Sequence, residues 1–395
     1  MKKKIIIVLL ILILITGGVL FFLTRKKEFY PLEEESILLL KDKIEVYDKI
    51  NLSDILKLDG ERKIFNDYQI DTNSLGKKDL ELIYLDSDND KRKGTISIEI
   101  VDSTPPYVGL GSHYTHYLGT NFTFYSDILC ADNYDKHPKC EIIGDYDIDK
   151  IGETSLKLKA IDSNKNVFEK DFLLKVIEKP KSNGETNFIS FDEIKNRLPS
   201  NASLLIDVSK WDKNIDWKKV KEAGVEYAMI RLGTQKALDK ESILDPYFEK
   251  NIREAQKNGI KVGVYYFSYA NDVADAKEQA EWVVDQLKNY ELVLPVSLDW
   301  ESWKYFREFG MSIHDLNETA KTFLDTIESY GYDTLNYSSK NYLENIWSLA
   351  KYKTWLAHYT LNTNYKGKYV IWQFTESGKI PGIAGLVDVN FYYNK

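Results

Sequence analysis

The chain has 395 residues, 43% of them hydrophobic and 29% charged, enough for two to four domains with buried cores. A formal net charge of -8, with no basic patch and no ladder of aromatic and basic residues, argues against a nucleic-acid partner.

The first element is an uncharged apolar run, Ile5 to Leu23, preceded by Met1-Lys2-Lys3-Lys4 and followed by Arg25-Lys26-Lys27. At roughly 20 residues it is long enough to span a bilayer. The small residues Thr16, Gly17 and Gly18 lie inside the run and no small-x-small site follows it, so residues 1–27 read as a transmembrane anchor rather than a cleaved signal. Basic residues flank both ends and orient the helix only weakly. Residues 28–40 read as a stalk.

A repeat follows. Ile70 to Gly76 precedes the alternating Leu80, Leu82 and Tyr84, then Asp86-Ser87-Asp88-Asn89, then Ile96, Ile98 and Ile100. Ile148 to Gly152 precedes Leu156, Leu158 and Ala160, then Asp162-Ser163-Asn164-Lys165, then Phe172, Leu174 and Val176. Period-2 alternation on both sides of a polar turn predicts paired strands of a half-buried sheet. Two such units resemble the immunoglobulin-like modules of bacterial surface proteins and give small all-β sandwiches over 28–102 and 103–179. Asp102-Ser103-Thr104-Pro105-Pro106 is the stiff break between them. Their expected role is that of spacers, with sugar or protein binding as the alternative. Cys130 and Cys140 are the two cysteines, and their spacing suits a disulfide closing a hairpin loop outside the cell, with two free thiols as the alternative. His113 and His116 read as an exposed loop without companion ligands. Asp86, Asp88 and Asp90 read as a solvated turn, since an EF-hand would need an acid where Ser97 stands. No metal is expected.

Residues 180–199 read as a linker, with Lys179 to Asn187 polar and rich in turn formers. Beyond it the composition changes: all eight tryptophans lie after residue 200. Residues 200–395 alternate strands and helices. Strands are expected at Leu204–Val208, Tyr227–Leu232, Val262–Phe267, Leu294–Asp299 and Thr334–Tyr337, with helices at Asp216–Ala223, Pro246–Asn258, Asp272–Asn289 and Ile313–Tyr330. After a fifth helix near Tyr342–Ala350 the rhythm shortens. Strands at Thr354–Ala357, Lys368–Phe374 and Gly385–Tyr392 are joined by segments too short for crossover helices. Eight strands with helices only in the first part predict an irregular (β/α) TIM-like barrel.

Such barrels gather chemistry at the C-terminal ends of their strands. Four acids fall there: Asp207, Asp299, Glu301 and Asp388. In Asp299-Trp300-Glu301 the acids occupy positions i and i+2 of one strand and so face the same way. Like charges held together raise one pKa, leaving one acid to donate to a leaving oxygen and one ionised to support positive charge. Same-face neighbours lie roughly 6.5–7 Å apart along a strand, between the carboxyl separations of retaining and inverting glycosidases; both routes, and attack by a substrate acetamido oxygen, stay open.

The phrases Ile206-Asp207-Val208-Ser209-Lys210-Trp211, Leu298-Asp299-Trp300-Glu301, Ile371 to Ile383 and Val387-Asp388-Val389-Asn390 resemble the family 25 glycoside hydrolases, the muramidases or lysozymes of bacteria and phages. The resemblance implies hydrolysis of the β-1,4 bond between N-acetylmuramic acid and N-acetylglucosamine, without a cofactor. It implies Glu301 as general acid, Asp299 as its helper at the acetamido group or a water, and Asp207 and Asp388 as the acids shaping the site's charge. Tyr266, Trp355 and Trp372 are candidates for a sugar platform, with a core role equally open. Arg231 either binds substrate or an acid, or forms a structural ion pair. The departures are Tyr266-Phe267, where many members carry a histidine phrase, and Arg231-Leu232-Gly233 in place of a lysine phrase. The expected partner is the peptidoglycan glycan strand, cut by a monomer held at the cell membrane with its enzyme domain on the cell-wall side. The alternatives are a wall-binding protein without activity and a chitinase-like barrel. Against the second, no further acid stands in Val293 to Leu298.

Overall fold

The computed structural model describes residues 29–181, 187–236 and 241–393. The apolar run Ile5–Leu23 lies outside them; among the described residues no helix is long and apolar enough to cross a membrane. The chain divides into two compact units, Met1–Ser103 and Thr104–Lys395.

In the first unit, Gly76–Leu85 and Lys91–Val101 form a long antiparallel hairpin within a four-stranded sheet. Its inward residues Leu80, Leu82, Tyr84, Ile98 and Ile100 are buried, as alternation requires. Asp86 tightens the turn by accepting the N–H groups of Asp88 at 3.0 Å and Asp90 at 2.9 Å. That is a side-chain-closed Asx turn. The second unit repeats the device, with Asp162 Oδ1 accepting the N–H of Asn166 at 2.8 Å. An offset of 76 residues carries the bounds of this hairpin onto Gly152–Ile161 and Val167–Ile177. Asn89 and Lys165, in matching turn positions, both take positive φ, 60° and 75°. Leu156, Leu158, Phe172, Leu174 and Val176 supply the core of this second β module. Cys130 and Cys140 are joined as a disulfide. His113 and His116 do not form an exposed loop: they belong to the strand His113–Tyr117, and His116 is buried.

The stretch read as a linker contains a helix, Phe191–Arg197, capped by Ser190 through the N–H of Glu193. Its Ile194 is fully buried in the core of the next domain, and Ile189 bridges to Gly378. The barrel domain therefore begins before residue 200.

The barrel strands are β1 Ser203–Val208, β2 Tyr227–Gln235, β3 Lys261–Ser268, β4 Val296–Trp300, β5 Thr334–Ser339, β6 Lys353–Ala357, β7 Ile371–Gly378 and β8 Val387–Tyr392. Each pairs with the next, and β8 returns to β1, closing eight strands. Strands β1 to β7 run parallel, whereas β8 is antiparallel to both neighbours. Four helices cover the first half: α1 Trp217–Glu222, α2 Phe248–Lys257, α3 Val273–Leu287 and α4 Ile313–Ser329. A fifth, α5 Lys340–Asn345, is shorter than the sequence suggests, and no helix follows β6 or β7 among the described residues.

Alternation sorts each strand between two cores. Ile206, Val208, Ile230, Val264, Tyr266, Leu298, Trp300 and Trp372 face the outer layer under the helices. Leu205, Met229, Tyr265, Leu335, Tyr337, Trp355 and Ile371 fill the barrel interior. At Gly263 a Cβ would stand 2.6 Å from Leu294 and 2.8 Å from the Met229 sulfur, so only glycine fits that inward position.

Candidate active site

The inward row of each strand ends in polar chemistry at one mouth of the barrel. Leu205 is followed by Asp207, Ser297 by Asp299, Leu335 by Tyr337 and Ile371 by Gln373. Strand β8 delivers Asp388 and Asn390 to the same end because it runs backwards: Asp388 pairs in register with Asp207. The sequence places Asp388 at a C-terminal strand end; it sits instead near the N-terminal end of an antiparallel strand, which is the same face of the barrel. Glu301 lies one residue beyond β4, on the rim.

Asp207 is buried and held by two amides. Its Oδ2 accepts from Gln373 Nε2 at 3.0 Å and Asn390 Nδ2 at 2.6 Å. Asn390 Oδ1 accepts from Trp355 Nε1 at 2.7 Å, and Gln373 Oε1 from the Tyr337 and Tyr359 hydroxyls at 2.8 and 2.9 Å. Those contacts orient both amides with their NH2 groups toward Asp207. Burial pushes the Asp207 carboxyl up to about 6, and the two amides restrain the rise.

Asp299 is buried, and its Oδ1 has no hydrogen-bond partner among the described residues. Burial, then the charges of Glu301 and Asp207, push its pKa well up. Glu301 keeps an edge on solvent while protein crowds its other sides. That crowding, with the charges of Asp207 and Glu376, lifts its carboxyl to about 7. In Asp388, burial and the Asp207 charge raise the carboxyl to about 9. The four acids thus feel one another's charge at one mouth of the barrel, with separated proton affinities, an arrangement suited to donating a proton while retaining a negative charge.

The proposed sugar platform is not where the sequence suggests. Tyr266 points outward, bonded to Ser242 at 2.7 Å and packed near Trp282 and Phe323. Its neighbour Tyr265 faces the acids and was missed. Trp372 also lies in the outer core, its Nε1 donating to the His358 carbonyl. Trp355 does face inward, but buried beneath the acids as a support for Asn390. Arg231 makes the structural ion pair: Asp245 lies 2.7 Å from it and is itself anchored by the N–H groups of Lys210 and Tyr247. The exposed tryptophan on the rim is Trp211, 74% exposed in the turn after β1. Tyr359, half exposed, stands at the mouth.

Residues 206–383 match the family model of Glycosyl hydrolases family 25. This part of the chain is similar to the lysozymes of glycosyl hydrolase family 25. Among similar proteins, the uncharacterized protein YegX of Escherichia coli is 28% identical over 205 residues, covering 50% of this chain and 72% of that protein. The autolytic lysozyme of Clostridium acetobutylicum is 28% identical over 188 residues, covering 47% of this chain and 54% of that one. Lysozyme M1 of Streptomyces globisporus is 26% identical over 204 residues, with 47% and 66% covered. Among solved structures, the modular autolysin LytC of Streptococcus pneumoniae aligns at 25% identity with a TM-score of 0.44, covering 60% of this chain and 56% of that one. A family 25 glycosyl hydrolase of Bacillus anthracis aligns at 20% identity with a TM-score of 0.44, covering 55% and 96%. The chain thus spans only about half the length of the Clostridium lysozyme and of LytC.

Proposed function

We propose that the barrel domain is an N-acetylmuramidase, cutting the β-1,4 bond between N-acetylmuramic acid and N-acetylglucosamine in peptidoglycan. The observation that carries this reading is the pairing of rim Glu301 with buried Asp299 beside Asp207 and Asp388. Glu301, half protonated near neutral pH, donates its proton to the departing glycosidic oxygen. Asp299, whose Oδ1 lacks a protein partner, orients the substrate acetamido group or the attacking water. Asp207, fixed by Gln373 and Asn390, faces the positive charge that develops at the sugar ring. No step calls for a cofactor. Residues 1–27 tether the enzyme to the membrane, immunoglobulin-like modules carry it outward, and the monomer works on the cell-wall side.

The test is digestion of purified cell wall by the full chain, followed by identification of the new reducing-end sugar. Reducing N-acetylmuramic acid is expected, and Glu301→Gln should abolish its release while remaining folded. Reducing N-acetylglucosamine instead, or faster cleavage of chitin than of wall glycan, would replace this specificity. A chain that sediments with wall yet releases no new ends would be a binding protein.

A further inference from the structure

We propose that the second β module forms the outer wall of the sugar cleft, gripping the glycan chain beyond the pair of sugars that is cut. This rests on the glycan-cleaving reading above. Three observations carry it.

The module is fixed against the barrel. Its Leu129 and Ala131 are buried in the same apolar layer as the barrel's outer core. The N–H of Ile313, at the start of α4, donates to the Asp132 carbonyl at 2.7 Å. Lys136 reaches Asp315 at 3.1 Å, and Tyr107 OH accepts from Asn341 Nδ2 at 2.8 Å. A spacer on a flexible joint would show none of these.

The module also continues the cleft. Glu301, Tyr337, Lys340, Asn341 and Tyr359 line a hollow of about 420 Å³ at the barrel mouth. Asn341 and Asn345, on α5, line a second hollow of about 520 Å³ whose other wall is Tyr107 to Gly111 and Lys170 of the module. The two hollows share Asn341. Each lies within the roughly 300–1,000 Å³ of ordinary ligand clefts.

The chemistry of the second hollow suits sugars. Amides, a hydroxyl and the Lys170 ammonium, which donates to the Leu110 carbonyl, line it beside Val108, Leu110 and Phe168, and no carboxylate does. Gly109 and Gly111 leave a bare backbone strip on which a ring can lie flat. A Cβ on Gly111 would meet nothing nearer than the His113 carbonyl at 3.9 Å. The barrel mouth, crowded with acids, is the place for bond breaking; this groove is a place for neutral, hydroxyl-rich chain.

That open space allows a direct test. In Gly111→Trp the new side chain fills the groove without a backbone clash. With the full chain, kcat/KM is compared for long glycan strands and for a soluble tetrasaccharide. We expect the long-to-short ratio to fall about fivefold or more in Gly111→Trp, on the scale of one lost contact, with KM taking the change. In parallel, anisotropy of a fluorescently labelled long strand compares Glu301→Gln with Glu301→Gln/Gly111→Trp. An unchanged ratio in a folded Gly111→Trp, with equal strand binding by the two anisotropy variants, would overturn the proposal. If the unsubstituted chain cuts neither substrate, the glycosidase reading fails and the binding comparison alone decides the groove. Asn345→Ala, a side chain exposed on α5, repeats the test should Gly111→Trp not fold.

Discussion

Asp388 and Asp207 face each other in register across the seam where β8 closes the barrel, and they hold their proton unequally. Two amides aimed at Asp207 keep it near 6, while Asp388 rises to about 9 through burial and the Asp207 charge. At neutral pH the pair therefore holds one proton and one negative charge between them.

This has a consequence for stability. An unfolded Asp388 titrates near 3.8, the folded one near 9, so between those values the folded state binds more protons. The stabilisation is fully present below about pH 4 and lost as pH rises through about 9. Melting temperature is expected to fall from pH 5 to pH 9, and Asp388→Asn to flatten that slope. Thermal melts of both proteins across this range measure it; equal slopes would remove Asp388 as the cause.

Activity should follow Glu301. With its carboxyl near 7, the proton to be donated is lost as pH rises, so kcat falls on the alkaline side. Burial is the largest cause of the shift, then Asp207, then Glu376. Glu376 is exposed, so Glu376→Gln should move the alkaline limb to lower pH without removing activity. A pH-rate profile of that variant checks the direction.

Trp211 is 74% exposed at the rim, with Lys210 Nζ 4.9 Å over its ring, while the other seven tryptophans are buried or half-buried. Trp211→Ala should weaken binding by about 1 kcal/mol, roughly fivefold in KM, as for loss of one stacking contact. Melting temperature should barely change, since little of that side chain is packed. Trp355→Phe should do the opposite kind of damage. Losing the indole N–H frees Asn390 and loosens Asp207, lowering kcat more than it raises KM.

The disulfide Cys130–Cys140 closes a loop with a sequence separation of 10, and that loop carries Asp132 and Lys136, which hold α4. Loop-closure entropy for about ten residues corresponds to about 2.5 kcal/mol. Cys130→Ser/Cys140→Ser should melt several degrees lower, and reductant should lower the parent's melting point but not the variant's.

Much of the barrel was legible because parallel strands buried on both faces are continuous apolar runs between amphipathic helices. The D-x-E phrase was legible for the related reason that acids ending such a run have nowhere to point but a mouth. The same continuity hid the facing of β3: Val262 to Phe267 is apolar at every position, so nothing in it told Tyr265 from Tyr266. The direction of β8 was invisible, since Val387–Tyr392 reads alike both ways. The helix Phe191–Arg197 was masked by polar composition, its one fully buried side chain being Ile194.

Asp207 takes its hydrogen bonds from residues 166 and 183 positions later in the chain. A nascent chain leaving the ribosome therefore carries the acids of β1 and β4 long before the partners that tune them exist. Until the last two strands are in place, Asp207 lacks the two amides that hold it.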